Sequence, residues 1–240
     1  MLKYAKLKET PKKFLALTGL TPKEFQALLP AFYRAYERRY PPDKTLSRRR
    51  RKRKAGGGRK SSLGDIEQKL LFVLVYQKTY PLQALLGEVF EISQTRANRW
   101  VHRLLPVLQQ ALDDCGVMPE RDSRQFAHHE RQHGEPDELI IDGTERRRQR
   151  PKNPEKQALH YSGKKKTHTD KNVAIVNAKT KRVGYLSRTY AGKMHDKKIA
   201  DSEDIAYPRR ATLHKDTGFQ GYEPRVRKTY QPKKSRAKES

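Results

Sequence analysis

A single cysteine, Cys115, in 240 residues excludes an intrachain disulfide and fits a reducing compartment. Long apolar runs are missing as well. The longest, Leu70 to Tyr76, falls far short of the roughly 18–20 residues that cross a bilayer, and Met1 to Lys13 carries no signal-peptide core. Acids are scarce beside bases: 27 Asp and Glu against 54 Lys and Arg leave a net charge of +27. Apolar residues make up 34%, no more than the charged ones, which suits small cores joined by solvated basic connections. Such a field attracts polyanions. Nucleic acid is the first candidate; an anionic membrane surface is weakened by the lack of a span.

Residues 1–47 read as a helical segment. Thr21-Pro22-Lys23-Glu24 supplies a capping box with a first-turn proline, and Leu20, Phe25, Leu28, Leu29 and Phe32 recur at helical spacing, predicting two short helices for packing, dimerisation or DNA contact. Residues 48–60 form a basic arm in which Arg49, Arg50, Arg51, Lys52 and Arg53 precede Gly56-Gly57-Gly58; it is expected to be flexible and to bind phosphates or enter a minor groove.

Residues 61–116 predict three helices. The first, Asp65 to about Lys78, places Ile66, Leu70, Val73 and Leu74 on one face; the second starts at Pro81 and packs Leu82, Leu85, Leu86 and Val89. Phe90-Glu91-Ile92 makes the turn, and Ser93 caps the third. On that helix Ala97, Val101, Leu104, Leu105 and Leu108 form the buried stripe, while Gln94, Thr95, Asn98, Arg99, His102 and Arg103 face outward. A helical hairpin with a polar face can bind nothing, but Gln, Asn and Arg there beside a basic arm match helix-turn-helix docking on DNA.

Residues 117–137 are polar and read as a linker. Cys115 with His128, His129 and His133 can be drawn as a zinc set, but one thiolate at a spacing that matches no common finger argues against it. From Glu138 the period becomes strand-like. Leu139 to Ile141 is one strand, Asn172 to Val176 and Arg182 to Ser187 are a hairpin, and a helix from about His195 to Ile205, with Asp196 as its cap, precedes a strand over Ala211 to Lys215. The order strand, strand, strand, helix, strand makes the chain α+β, with an all-α N-terminal region. Asp142 and Asp216 each close a strand. Paired carboxylates at neighbouring strand ends suit Mg²⁺ or Mn²⁺ and phosphodiester chemistry, although acids also end strands simply as turn formers.

Several stretches together resemble insertion-sequence transposases of the DDE class, in which a helix-turn-helix precedes a ribonuclease H-like endonuclease core. They are Gly56 to Lys60, Tyr80-Pro81-Leu82-Gln83, Ile92-Ser93-Gln94, Arg99-Trp100 and Ile140 to Glu145. Tyr161 to His168, His195-Asp196-Lys197 and Asp216 to Gly221 continue the series in the same order. The resemblance implies a partial ribonuclease H-like core over 138–224 and a basic tail over 225–240. It implies that Asp142 and Asp216 are the first two catalytic and metal-binding acids, with a divalent ion, Mg or Mn, as cofactor. It also implies that Lys164, Lys165 and Lys166 form a basic loop near the site, that double-stranded DNA, as terminal inverted repeats and as target, is the partner, and that the protein is cytoplasmic and nucleoid-associated. Self-association is left open. The family's third acid, a glutamate on a helix well after the second aspartate, has no counterpart: Glu223 lies in a Gly-Tyr-Glu-Pro turn and Glu239 is penultimate. The chain is therefore expected to be a fragment or upstream-frame product with little strand transfer of its own; the alternative is a catalytically inactive DNA-binding regulator of the element. A basic RNA-associated protein is a third reading, for which no stacking motif is present.

Overall fold

The computed structural model describes residues 1–45, 49–52, 63–132, 134 and 138–232. They belong to two compact units, Met1–Val117 and Met118–Ser240.

The first unit is helical. α1 (Tyr4–Leu7) and α2 (Pro11–Thr18) lead to Gly19, whose left-handed backbone (φ 76°) turns the chain toward α3 (Pro22–Arg39). The capping box at the start of α3 is present in both directions: the Glu24 amide donates to the Thr21 hydroxyl, and the Thr21 amide donates to the Glu24 carboxylate at 2.7 Å. This satisfies amides that a helix start otherwise leaves orphaned. With 18 residues α3 is longer than the short helix expected, because its apolar stripe of Phe25, Leu28, Ala31, Phe32 and Ala35 continues to pack. α4 (Ile66–Thr79) departs further from the expected one-sided pattern, since every residue from Gln68 to Val75 is buried. It is the central helix of the unit, touched by α1, α2, α3 and α6. Phe72 meets Phe90 edge to face at 4.9 Å, and Tyr4, Phe14 and Phe25 form a second aromatic group.

α5 (Gln83–Phe90) and α6 (Gln94–Asp114) complete the unit. The expectation that Leu82 and Leu85 pack inward is corrected: they are 80% and 57% exposed, and α5 begins two residues after Pro81, so its inner face carries Leu86, Gly87 and Phe90 instead. The tight turn itself is as expected. Glu91 takes a left-handed conformation (φ 52°), the Ile92 amide donates to the Gly87 carbonyl, and the Ser93 hydroxyl caps α6. A Cβ on Gly87 would stand 2.6 Å from the Ile92 carbonyl oxygen, so this approach requires glycine. The stripe of α6 is buried at Ala97, Val101, Leu104 and Leu108 and half-buried at Leu105.

The second unit is α+β. Its elements are α7 (Phe126–Gln132), β1 (Glu138–Arg147), α8 (Pro154–His160), β2 (Tyr161–Ser162), β3 (Thr167–Asn177), β4 (Val183–Leu186), β5 (Tyr190–Ala191), α9 (Asp196–Glu203), β6 (Thr212–Lys215) and β7 (Lys228–Tyr230). The sheet runs β2-β3-β1-β6-β7, with β4 and β5 also paired to β3. β1–β3 and β3–β4 are antiparallel, whereas β1–β6 and β6–β7 are parallel. The expected order of three strands, a helix and a strand is therefore present as β1, β3, β4, α9 and β6. Leu139, Ile141, Val173, Ile175, Tyr185, Ile199, Leu213 and Phe219 form its core.

Three parts of this unit differ from the sequence reading. Within the stretch expected to be a linker, residues 118–132 are built into the fold: Phe126 is fully buried against Tyr185 and Tyr207, the buried Glu130 accepts from Arg182 at 2.7 Å, and Glu120 bridges Tyr185. One apolar anchor among polar neighbours has no period to reveal it. β1 spans ten residues and carries Asp142 within it, because its pairing with β3 continues to Arg147. In the basic tail, Lys228–Tyr230 adds β7 beside β6, and residues 233–240 lie outside the described residues. Of the arm, Arg48 and Arg53 to Lys60 also lie outside them; the described Arg49, Arg50, Arg51 and Lys52 are exposed, with Arg50 bridged to Lys44.

Candidate active site and nucleic-acid interface

Parallel pairing between β1 and β6 proceeds in register from Glu138↔Thr212 to Ile141↔Lys215. The next residues are Asp142, within β1, and Asp216, directly after β6. Neighbouring strands lie about 4.8 Å apart, and Asp216 keeps an extended backbone (ψ −179°), so two acids far apart in sequence end on adjacent strands. Both are exposed. Each is oriented by its own turn of chain: the Gly143 amide donates to Asp142 Oδ1 at 2.8 Å, and the Gly218 amide donates to Asp216 Oδ1 at 2.9 Å. The second oxygen of each carboxylate has no hydrogen bond from the described residues.

Two further acids stand nearby. Asp196, the first residue of α9, rests its carboxylate over both glycines: a Cβ on Gly143 would lie 2.5 Å from Asp196 Oδ1, and one on Gly218 would lie 3.1 Å from Oδ2. Glu145, on β1, faces Lys171 on β3. The Lys171 ammonium lies 3.3 Å from Glu145 and 3.1 Å from Asp196. Burial works to raise the Glu145 carboxyl, but hydrogen bonds from Ser162 and Thr169 and the charge of Lys171 outweigh it and hold the group below its ordinary value. Among the described residues, no three His, Cys, Asp or Glu side chains gather closely enough to enclose a metal. What the site offers is a pair of carboxylates, which suits Mg²⁺: that ion is commonly held by one or two carboxylates and completes its shell with water and substrate phosphate.

A cleft of about 1070 Å³ opens beside these groups. One part of its lining is acidic, with Glu145, Asp196 and Asp216; another is basic, with Arg150, Lys164, Lys171, Lys193 and two histidines. Lys164, Lys165 and Lys166 all project from the turn between β2 and β3, where Lys166 adopts φ 54°, but only Lys164 lines the cleft. The structure thus brings Asp216 and Lys164 to one cleft with Asp142 on the adjoining strand, and leaves Lys165 and Lys166 on the outer surface. Sequence reasoning missed Glu145 and Lys171 as neighbours of the acids. The sole signal was a cross-strand pairing that becomes visible only once β1 extends past Asp142.

In the helical unit, α6 presents Gln94, Thr95, Arg99 and His102 to solvent. Two of the residues expected there are already engaged: the Asn98 side-chain amide donates to Gln83 Oε1 at 3.0 Å, tying α6 to α5, and the Arg103 guanidinium lies 5.6 Å from the Trp100 ring centroid. Arg96 was missed. It is exposed in the first turn of α6, between Thr95 and Arg99, and its place follows from the Ser93 cap. No described helix is long and apolar enough to cross a membrane.

Comparison with known families agrees with both units. Residues 61–114 match the helix-turn-helix of DDE superfamily endonucleases, and residues 141–240 match the DDE superfamily endonuclease domain. No curated protein and no solved structure matches the chain. With a DNA-binding helix-turn-helix and an endonuclease domain of one superfamily matched in sequence order, the chain belongs to the DDE superfamily of transposases.

Proposed function

We propose that this chain binds duplex DNA, including terminal inverted repeats, through α6 and the basic arm of residues 48–60. We propose further that it presents Asp142 and Asp216 to a divalent metal ion, as two of the acids that cleavage and transfer of phosphodiester bonds at element ends requires. The observation that carries this reading is the parallel register of β1 and β6, which delivers the two acids to adjacent strands beside a cleft with basic lining. Asp142 and Asp216 would hold the ion, with Gly143 and Gly218 amides fixing one oxygen of each. Bound there, a divalent ion supplies Lewis-acid stabilisation of phosphoryl charge. Lys164 and Arg150 lie where a phosphate backbone entering the cleft would be neutralised, and α6 supplies side chains of the types that read guanine and adenine edges.

The test is metal binding together with DNA binding on the full chain. Asp142→Asn and Asp216→Asn are each expected to reduce Mn²⁺ affinity by roughly two orders of magnitude, the upper range seen when a metal site loses a supporting group, while duplex affinity is retained. Mn²⁺ binding indifferent to both substitutions overturns the assignment. Loss of sequence-specific duplex binding on Arg99→Ala, with Asp142→Asn unaffected, is the expected complement.

A further inference from the structure

We infer that Lys171 is a positioning residue that serves as the resident cation of this centre, neutralising Glu145 and Asp196 so that the exchangeable metal is confined to Asp142 and Asp216. This rests on the metal-site reading above. Lys171 sits on β3 directly opposite Glu145 on β1, and only 7% of its surface is exposed. An ammonium has three donors and no acceptor. The Met194 carbonyl accepts from it at 2.9 Å, and Asp196 Oδ1 and Glu145 Oε1 stand at ion-pair distances of 3.1 Å and 3.3 Å. A buried charge persists only when paired and hydrogen-bonded, and this lysine is hydrogen-bonded to one carbonyl and ion-paired with two carboxylates of the same cleft.

The placement of Asp196 gives this pairing its reach. Its carboxylate fills the space above Gly143 and Gly218, the glycines whose amides orient the two metal-binding acids. Fixing Asp196 by Lys171 therefore fixes the ground on which Asp142 and Asp216 stand. Remove the ammonium, and Asp196 and Glu145 become two uncompensated anions facing the same opening. Either could then turn to a metal, and both raise the local negative potential.

The experiment measures Mn²⁺ binding to the full chain by electron paramagnetic resonance of the free ion, with folding checked by circular dichroism. Lys171→Met keeps the aliphatic stem and deletes the charge. It is expected to tighten Mn²⁺ binding by at least about tenfold, a factor that one unit charge several ångströms from a divalent ion exceeds at an effective dielectric of about 20, or to add a further bound ion. Lys171→Met combined with Asp196→Asn deletes one charge of each sign and is expected to return to wild-type affinity. Wild-type affinity and stoichiometry in a folded Lys171→Met protein overturn the inference. If Lys171→Met does not fold, Asp196→Asn and Glu145→Gln decide: each is expected to weaken binding clearly less than Asp142→Asn does. A loss as large as that of Asp142→Asn makes these acids direct ligands and refutes confinement. Indifference of Mn²⁺ to Asp142→Asn and Asp216→Asn would instead refute the metal site itself, so the two failures are distinguishable.

Discussion

Replacing Gly143 with alanine adds one methyl group at the most crowded point beside the two aspartates. The new Cβ would stand 2.5 Å from Asp196 Oδ1 and 2.6 Å from its Cγ, well inside van der Waals contact. A flexible side chain would step aside at small cost, but Asp196 is short, begins a helix, and is held by Lys171 at 3.1 Å. Accommodating the methyl therefore means either strain in β1 or loss of the Lys171 pairing. Overpacking of a fitted site costs about 1–3 kcal/mol, and a unit of this size loses roughly 3–6 °C of melting temperature per kcal/mol. Gly143→Ala is expected to lower the melting temperature of the sheet unit by about 5–15 °C. Gly163 is the control, because a Cβ there meets nothing within 4 Å and Gly163→Ala should melt as the wild type does. The single tryptophan, Trp100, lies in the helical unit. Its fluorescence transition should stay in place while far-ultraviolet dichroism reports the shift. A Gly143→Ala protein as stable as Gly163→Ala would refute the claim that Asp196 is clamped over this glycine.

Other consequences are equally open to measurement. Phe126→Ala empties a fully buried site between Tyr185 and Tyr207 and should destabilise the sheet unit by about 3–5 kcal/mol in denaturant titrations; a loss below about 1 kcal/mol would return residues 117–137 to the status of a linker. Arg96→Ala and Arg99→Ala, if these side chains neutralise phosphates, should each reduce the slope of log affinity against log salt by about 0.9, and an unchanged slope would remove them from the interface. Burial pushes the Tyr222 hydroxyl up to about 12, against a smaller opposing effect of its hydrogen bond with Tyr207, whose own hydroxyl is raised well above its ordinary value. A group that holds its proton more tightly when folded contributes fully below its unfolded value and loses that contribution as pH rises through the folded one. Stability should therefore fall between about pH 10 and 12, and Tyr222→Phe should flatten that fall in melting curves taken across the range.

Much of the architecture was legible because the sequence states it locally. Thr21 with Glu24, Ser93 before α6, and the 3.6-residue stripe from Ala97 to Leu108 are signals confined to a few turns of helix, and the structure follows them. Asp142 and Asp216 were legible as strand-associated acids for the same reason. What stayed hidden was non-local. Leu82 and Leu85 looked like core residues because they are leucines at helical spacing, yet which side of α5 meets α4 and α6 is decided by Gly87 and the turn at Glu91. Phe126 and Glu130 gave no period, since α7 depends on Tyr185 and Arg182 from far along the chain. Lys171 read as one basic residue among many; its meaning comes from Glu145 opposite it in the register and from Asp196 arriving on α9.

The parallel pairing of β1 with β6 also sets an order of assembly. Helical contacts between near neighbours form quickly, whereas pairing distant strands must first close the intervening loop. Between Asp142 and Asp216 lie α8, the β3–β4 hairpin and α9. The reactive pair is therefore expected to be among the last features completed, after the helical unit has its hydrophobic contacts. During synthesis the helical unit proposed to bind DNA can therefore form before the proposed metal-binding pair is assembled, and a fault anywhere between the two strands would spare the first while disrupting the second.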